Sequence, residues 1–399
     1  MFRARLLFLA ALACRNAPDL PPVVMTDSAG VRITTITAAP LALPAWPVDA
    51  VPRLVLAEPD SAGFTFVSAV HLASGGRFVV GDLRRLGLYV YDAAGELLQT
   101  FGRQGNGPGE FRGLMTISVS GDSIGTWDLS QRRFSLFGVG TGFERVLPTP
   151  PQPGDYDTPR EAWLGPGPAV LTYWLRAEPP GPFPQGVRIR RWQNMAQLVL
   201  TDTAARVVGR TPLFRGVYSG ESARGDARQL FSNLPFVAPG RGRIAFGSGE
   251  QFEVQVADSQ LKVTDLVRWQ GADEVLSVAE VDRGRAALRA SMPPGAPAAR
   301  VDEAVNTIVA AELLPKVRPA ISRALWDDAG RLWLGRFEAP VRGIAEASEW
   351  YVLGTDYRPQ GRVRLPTHVR LEAVRGRDLV VSVRDSLDVQ SVQIWQFRP

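Results

Sequence analysis

The chain has 399 residues, 45% of them hydrophobic, which is enough to bury a large core. Its net charge of +5 is modest, and all basic residues but Lys262 and Lys316 are arginines without a dense run, which argues against nucleic acid as a partner. One cysteine excludes an internal disulfide, and two histidines exclude a three-histidine zinc centre.

The N-terminus reads Met1-Phe2-Arg3-Ala4-Arg5 followed by the apolar run Leu6–Ala13. Two positive charges before a short apolar stretch form an export signal, too short to stay as a membrane span. Cys14 follows Ala13 directly and resembles the lipid-modified cysteine of a bacterial lipoprotein; Ala11 departs from the leucine usual three residues before it. An ordinary secretory signal cut nearby is the alternative. The expected organisation is a signal peptide over 1–13, a tether over 14–22 and one folded domain over 23–399. Membrane contact would then run only through the lipid on Cys14.

From Val67 the chain becomes a series of short apolar runs separated by turns, as its 39 glycines and 32 prolines suit. Val67–Leu72, Arg77–Gly81, Leu88–Asp92 and Glu96–Phe101 form one group of four strands, with Asp92-Ala93-Ala94-Gly95 as a turn. Met115–Val119, Ser123–Asp128, Arg133–Phe137 and Phe143–Leu147 form a second. A third is less regular, with Ala169–Leu175, a proline-rich excursion over Pro179–Gln185, then Gln197–Thr201 and Arg206–Gly209. The fourth has Phe236–Ala238, Arg243–Gly247, Phe252–Ala257 and Val263–Trp269.

The period then changes. Ser277-Val278-Ala279-Glu280 is a capping box that opens a helix ending before Pro293. A second helix follows, with Val301, Val305, Ile308 and Val309 on one stripe. Strands resume with Ile321–Trp326, Arg331–Gly335, Trp350–Leu353 and Arg362–Leu365. Val369–Ala373, Asp378–Val383 and Val392–Phe397 leave a sixth group one strand short. Gly30–Ile36 or Leu54–Ala57 would supply it and close the ring. The fold class expected is all-β, a six-bladed β-propeller with a helical insertion over about 277–315 between blades four and five; a seventh blade would have to hide in the third group.

Two blades carry one pattern twice. Val79-Val80-Gly81-Asp82 reaches Tyr91, and Ile124-Gly125-Thr126-Trp127-Asp128 reaches Phe137, the aromatic falling nine residues after each Asp. Between them lies Phe101-Gly102-Arg103-Gln104-Gly105-Asn106-Gly107-Pro108-Gly109-Glu110-Phe111. This link and spacing resemble NHL-type six-bladed propellers. Asp128, Arg133, Phe134 and Phe137 match that repeat, with Gln131 in place of its Asn. In the first blade Asp82 and Tyr91 match, but Gly87 and Arg85 replace the Arg and Asn. The resemblance covers roughly a quarter of the chain and implies architecture, since this fold hosts binding modules, scaffolds and enzymes alike.

For Asp82 and Asp128 the stronger reading is structural, as acceptors of backbone N–H groups from the following turn. Arg133 is expected to pair with a neighbouring carboxylate. The 102–109 glycines make a turn; no Gly-Lys-Ser/Thr follows that would cradle phosphate. Glu110 falls between blades, where channel-mouth residues lie. His71 and His368 fall on the innermost strands of blades one and six; separate structural roles are favoured over a metal site. No Gly-x-Ser-x-Gly elbow is present.

The leading expectation is an exported, lipid-anchored binding module at the cell envelope, with a protein, peptide or glycan as ligand and no catalytic residues. The rival is a Ca²⁺-dependent propeller hydrolase or lactonase, which needs three or more inner-strand Asp, Glu or Asn side chains converging on the axis. A purely structural envelope component would have its channel plugged by apolar side chains.

Overall fold

A computed structural model describes residues 23–399 apart from 38, 61–62, 149–158, 168, 177–180, 182–187, 223–224, 227–228, 272–273, 294, 340–346 and 388. Cys14, the expected signal and the tether lie outside the described residues, as does almost all of the Pro179–Gln185 excursion.

The chain opens with a hairpin of β1 (Val23–Ser28) and β2 (Val31–Ile36), then two short strands, β3 (Ala45–Trp46) and β4 (Leu54–Val55). A first sheet follows from β5 (Val67–Leu72), β6 (Phe78–Asp82), β7 (Gly87–Tyr91) and β8 (Leu97–Phe101). A second is built from β9 (Leu114–Ser120), β10 (Ser123–Asp128), β11 (Arg133–Gly138) and β12 (Gly142–Leu147). The third comprises β13 (Glu161–Leu164), β14 (Val170–Arg176), the long β15 (Ile189–Thr201), β16 (Val207–Arg210), β17 (Phe214–Ser222) and β18 (Gly225–Asp226).

The fourth sheet holds β19 (Phe236–Pro239), β20 (Arg243–Gly247), β21 (Glu253–Asp258) and β22 (Val263–Trp269). Helices α1 (Val278–Ala290) and α2 (Ala298–Ile308) come next. The fifth sheet has β23 (Ile321–Trp326), β24 (Leu332–Arg336), β25 (Glu349–Leu353) and β26 (Pro359–Arg364). The sixth has β27 (Val369–Arg375), β28 (Asp378–Arg384) and β29 (Gln390–Gln396).

Both candidates for the missing strand are used, but on different sheets. β4 pairs antiparallel with β29, Leu54 facing Ile394, and completes the sixth sheet. β2 instead runs parallel to β22 at the edge of the fourth sheet, fixed by an Arg32–Asp265 ion pair. β3 runs parallel to β26 of the fifth, where Trp46 lies over Gly361. The N-terminal segment thus lies along three sheet edges before the first sheet begins, and edges covered in this way cannot pair with other chains.

Hydrophobic cores lie between sheets, which is why most strands are apolar on both faces. Val80 and Tyr91 pack with Val392 and Ile394, joining the sixth sheet to the first. Val90 packs with Phe137, and Phe134 with Val170. Leu198 packs with Phe246, Val254 with Tyr351, and Trp333 with Trp395. Each sheet therefore shares a core with the one before and the one after it, and the last with the first. This is a β-propeller arrangement.

A recurring turn explains many of the hairpins. Asp92, Asp202, Asp258 and Asp385 each use Oδ1 to accept the backbone N–H groups two and four residues on, at 2.8–3.0 Å. At Asp92 the residue three on is Gly95, with φ +89°; at Asp202 and Asp258 it is Ala205 and Leu261, forced to φ +60° and +64°.

The capping box forms as the sequence predicts: Ser277 Oγ accepts from Glu280 N and Glu280 Oε2 accepts from Ser277 N. Val305 of the second helix and Val309 just past its end pack with Val281 and Leu288 of the first over Leu230, Phe231 and Phe337, so the pair covers one rim of the third to fifth sheets. The third sheet departs most from expectation. Its innermost strand is Glu161–Leu164, and Phe214–Ser222 adds a strand read as neither strand nor turn. β26 begins three residues before the expected Arg362.

Candidate functional site

The repeated aspartates are structural. Asp82 Oδ2 accepts from the N–H groups of Thr65 (2.6 Å) and Phe66 (3.1 Å), and Oδ1 from those of Arg84 and Arg85 (3.0 Å each). Asp128 Oδ2 accepts from Arg112 N and Gly113 N, and Oδ1 from Gln131 N at 2.8 Å. Each carboxylate ties the approach to its sheet to the turn after the second strand, and has no capacity left for a ligand. Gln131, standing where the repeat has Asn, donates to the carbonyls of Gly105 and Glu110. Arg133 corrects the expectation of a carboxylate partner, because it donates to the carbonyls of Asn106 and Glu110. Glu110 accepts from Gly107 N at 2.7 Å and pairs with Arg103, which holds the glycine-rich link closed.

Polar chemistry gathers instead where innermost strands face the axis. Arg323 on β23 donates through Nη1 to the carbonyl of Leu371 on β27 at 2.7 Å. Arg370 on β27 donates to the carbonyl of Ser68 on β5. His71 on β5 meets the carbonyl of Ile117 on β9 through Nε2 at 2.9 Å, and a carbonyl only accepts, so that nitrogen carries the proton. Leu164 N on β13 donates to Ser118 Oγ on β9, and Trp326 Nε1 on β23 to the carbonyl of Ala238 on β19. Among the described residues, neighbouring innermost strands are thus bridged at five of their six junctions by a side chain. β-bulges beside Ser68, Met115, Ser322 and Glu372 turn these side chains toward the seams.

The Arg323/Arg370 pair is held by one carboxylate. Glu372, 1% exposed, faces Arg323 Nη2 at 3.5 Å and Arg370 Nε at 3.2 Å, and accepts from Ser382 Oγ at 2.7 Å. Burial, then the charge of Arg370, lower Arg323 to about 10, which leaves it charged at neutral pH. Its side chain keeps 23% exposure. Two guanidinium groups and one carboxylate leave a net positive pole. Burial also lowers His71, which is neutral at physiological pH. His368 sits exposed just before the first strand of the sixth sheet, whereas His71 is engaged by the Ile117 carbonyl.

A second locus lies at the third sheet. Glu161 opens β13 with Tyr173 opposite it on β14. Burial alone pushes the Glu161 carboxyl up to about 7, and burial with the nearby Glu161 charge raises the Tyr173 hydroxyl above its ordinary range. A third cluster clamps the third sheet to the fourth: Tyr218 Oη donates to Glu250 Oε1, Gln193 Nε2 to Glu250 Oε2, and Arg191 stacks 3.6 Å above the Tyr218 ring.

Among the described residues no group of three or more His, Cys, Asp or Glu side chains is arranged to hold a metal ion. Glu161 and Glu372 are the inner-strand carboxylates, and they sit on different sheets. Sequence reasoning passed over Arg323, Arg370, Glu372 and Glu161. The usable signal is a charged residue inside an otherwise apolar innermost strand, as in Ile321-Ser322-Arg323-Ala324-Leu325-Trp326.

No family model matches the chain, and no curated protein matches it. Solved structures resemble it distantly. A protein of Bacteroides fragilis described as exported aligns over 92% of this chain and 100% of its own, at 11% identity and TM-score 0.47. Streptogramin B lyase aligns over 88% and 98%, at 10% identity and TM-score 0.41. Regucalcin, a calcium-binding protein of Agrobacterium tumefaciens, aligns over 89% and 96%, at 10% identity and TM-score 0.37. Among the described residues no helix is long and apolar enough to cross a membrane.

Proposed function

We propose that the protein is an exported six-bladed β-propeller of NHL-like type, lipid-anchored through Cys14, that binds the anionic part of a protein, peptide or glycan at the cell envelope. The six sheets with six shared cores support the blade count. The apolar run before Cys14 supports export. The observation that carries the binding role is the positive pole of Arg323 and Arg370 on adjacent innermost strands, aimed into the seams of the ring and offset, among the described residues, by Glu372. Guanidinium groups held in place by backbone carbonyls are preorganised to receive carboxylate or sulfate. An apolar plug, the mark of a purely structural component, does not describe this part of the axis.

Against the calcium-dependent hydrolase reading, the inner strands supply, among the described residues, two carboxylates on separate sheets, and Glu372 is engaged by Ser382 and both arginines. The function is tested by titrating acidic peptides, their amidated counterparts and uronate oligosaccharides against the wild type and the Arg323→Gln/Arg370→Gln double variant. Binding of an acidic form that the double variant loses, with its melting temperature still cooperative, supports the reading. Equal binding by both proteins sinks it. Mass spectrometry of the membrane-fraction N-terminal peptide tests the anchor: an acylated Cys14 supports it, and a Cys14→Ser chain that still fractionates with membranes refutes it.

A further inference from the structure

β13 alternates in a way that places Glu161. Ala162 and Leu164 belong to the core shared with the second sheet, and Trp163 to the core shared with the fourth. Glu161, two residues before Trp163, therefore turns toward the fourth sheet. It lies at the axis end of the seam between the third and fourth sheets. Among the described residues nothing hydrogen-bonds or ion-pairs with its carboxyl. Tyr173, its register partner, is 7% exposed, and its hydroxyl also has no partner.

Buried polar groups in folded proteins are nearly always satisfied. The Tyr173 hydroxyl is such a group, and it sits at the same seam as the half-buried, unpaired Glu161 carboxyl, which is open to a partner from the axis. The donor set identifies its chemistry. A carboxylate paired across the ladder with a tyrosine, whose ring lies 6.3 Å from that of Phe214, suits an ammonium group and repels an anion. Arg370 bridges the sixth sheet to the first, and in a ring of six sheets that seam lies opposite the seam of Glu161.

We infer that the axis receives a zwitterionic ligand of the amino-acid or short-peptide class, its ammonium on Glu161 and Tyr173 and its carboxylate on Arg370 and Arg323. This rests on the channel-mouth binding role proposed above and narrows it to peptide chemistry.

Ionisation of Glu161 is needed for the ammonium contact, so affinity should rise with pH through neutrality. Tyr173 and Arg160 are the groups whose charges bear on this site. Of the elements packed around it, β9 and β19 carry no charged side chain, and Asp128 of β10 is taken up by three backbone N–H groups and Gln131 Nε2. β14 contributes Arg176, which has a partner of its own. On β15, Arg190 pairs with Glu221 and Arg191 stacks on Tyr218.

The test is calorimetric titration of the folded protein with a ladder of glycine peptides, from diglycine to pentaglycine, beside the half-ligands n-butylammonium and n-butyrate. One member of the ladder should bind about tenfold or more tighter than either half. Glu161→Gln should lose that gain and leave butyrate binding unchanged, and Tyr173→Phe, which keeps the ring, should weaken the peptide only. Affinity for the peptide, not for butyrate, should rise between about pH 6 and about pH 8. Butyrate binding that needs the arginines, with no gain from an amine and no effect of Glu161→Gln, would overturn this inference while leaving the channel-mouth role standing. Failure of every probe, butyrate included, would also overturn this inference, the channel-mouth role then being decided by the acidic-peptide titration.

Discussion

Arg323 Nη1 donates to the carbonyl of Leu371 at 2.7 Å, so a charged side chain rather than a main-chain ladder ties the innermost strand of the fifth sheet to that of the sixth. Removing it leaves Glu372 with less compensation and the carbonyl without a partner. Arg323→Ala is expected to lower unfolding free energy by about 2 kcal/mol in urea titration, with Arg323→Lys recovering only part. Coupling to Glu372→Gln in a double-mutant cycle should be clearly non-zero.

Asp82 holds four backbone N–H groups and Asp128 three. Replacing either with Ala orphans them inside the protein, with an expected loss of about 3 kcal/mol or more. A spectroscopic melt of each variant checks this. If either side chain served a ligand instead, binding would fall with stability untouched.

Two groups give stability opposite pH dependences. The Glu161 carboxyl is raised to about 7 when folded, above its unfolded value, so its contribution is intact below that unfolded value and is lost as pH climbs through about 7. His71 is depressed when folded, so its contribution is present above the unfolded histidine value and is lost as pH falls. Glu161→Gln should therefore flatten the alkaline side of a stability-pH curve, and His71→Gln the acidic side. Denaturant midpoints collected across the range decide the matter, and identical curves for all three proteins would refute both assignments.

Ala205 takes a left-handed conformation, φ +60°, at the turn position that Gly95 fills in the first sheet. Ala205→Gly is expected to raise stability by up to about 1 kcal/mol, as relief of the Cβ clash outweighs the added freedom of the unfolded chain. A higher urea midpoint at unchanged slope is the expected readout.

A Cβ on Gly361 would lie 2.3 Å from Trp46 Cε2. Trp46 stacks on Phe397 with ring centroids 5.4 Å apart, so Gly361→Val should lift the tryptophan out and loosen β3 from the fifth sheet. Increased exposure in tryptophan fluorescence and faster amide exchange over residues 45–46 are the expected results.

The first and second sheets were legible because their apolar runs, Asp positions and glycine-rich link recur at fixed spacing. The third was not. Its innermost strand is four residues long and begins with a charged one, and β15 changes partner along its length, pairing with β17 in one half and β16 in the other. Edge strands of two residues, such as β3 and β4, carry no periodicity at all, so Leu54–Ala57 could be nominated only because the sixth group lacked a strand. The axial charges stayed hidden for a different reason. Strand reading looks for apolar alternation, and Arg323, Arg370 and Glu372 interrupt it without breaking it.

The placement of the N-terminal segment sets an order of events on folding. β2, β3 and β4 leave the ribosome more than 200 residues ahead of their partners β22, β26 and β29. Contacts between such distant segments form late, because their loop-closure entropy must be met before they stabilise anything. The ring therefore cannot close on a chain that still lacks β29. A fold that shuts only when that strand arrives keeps its first and sixth sheets apart until then.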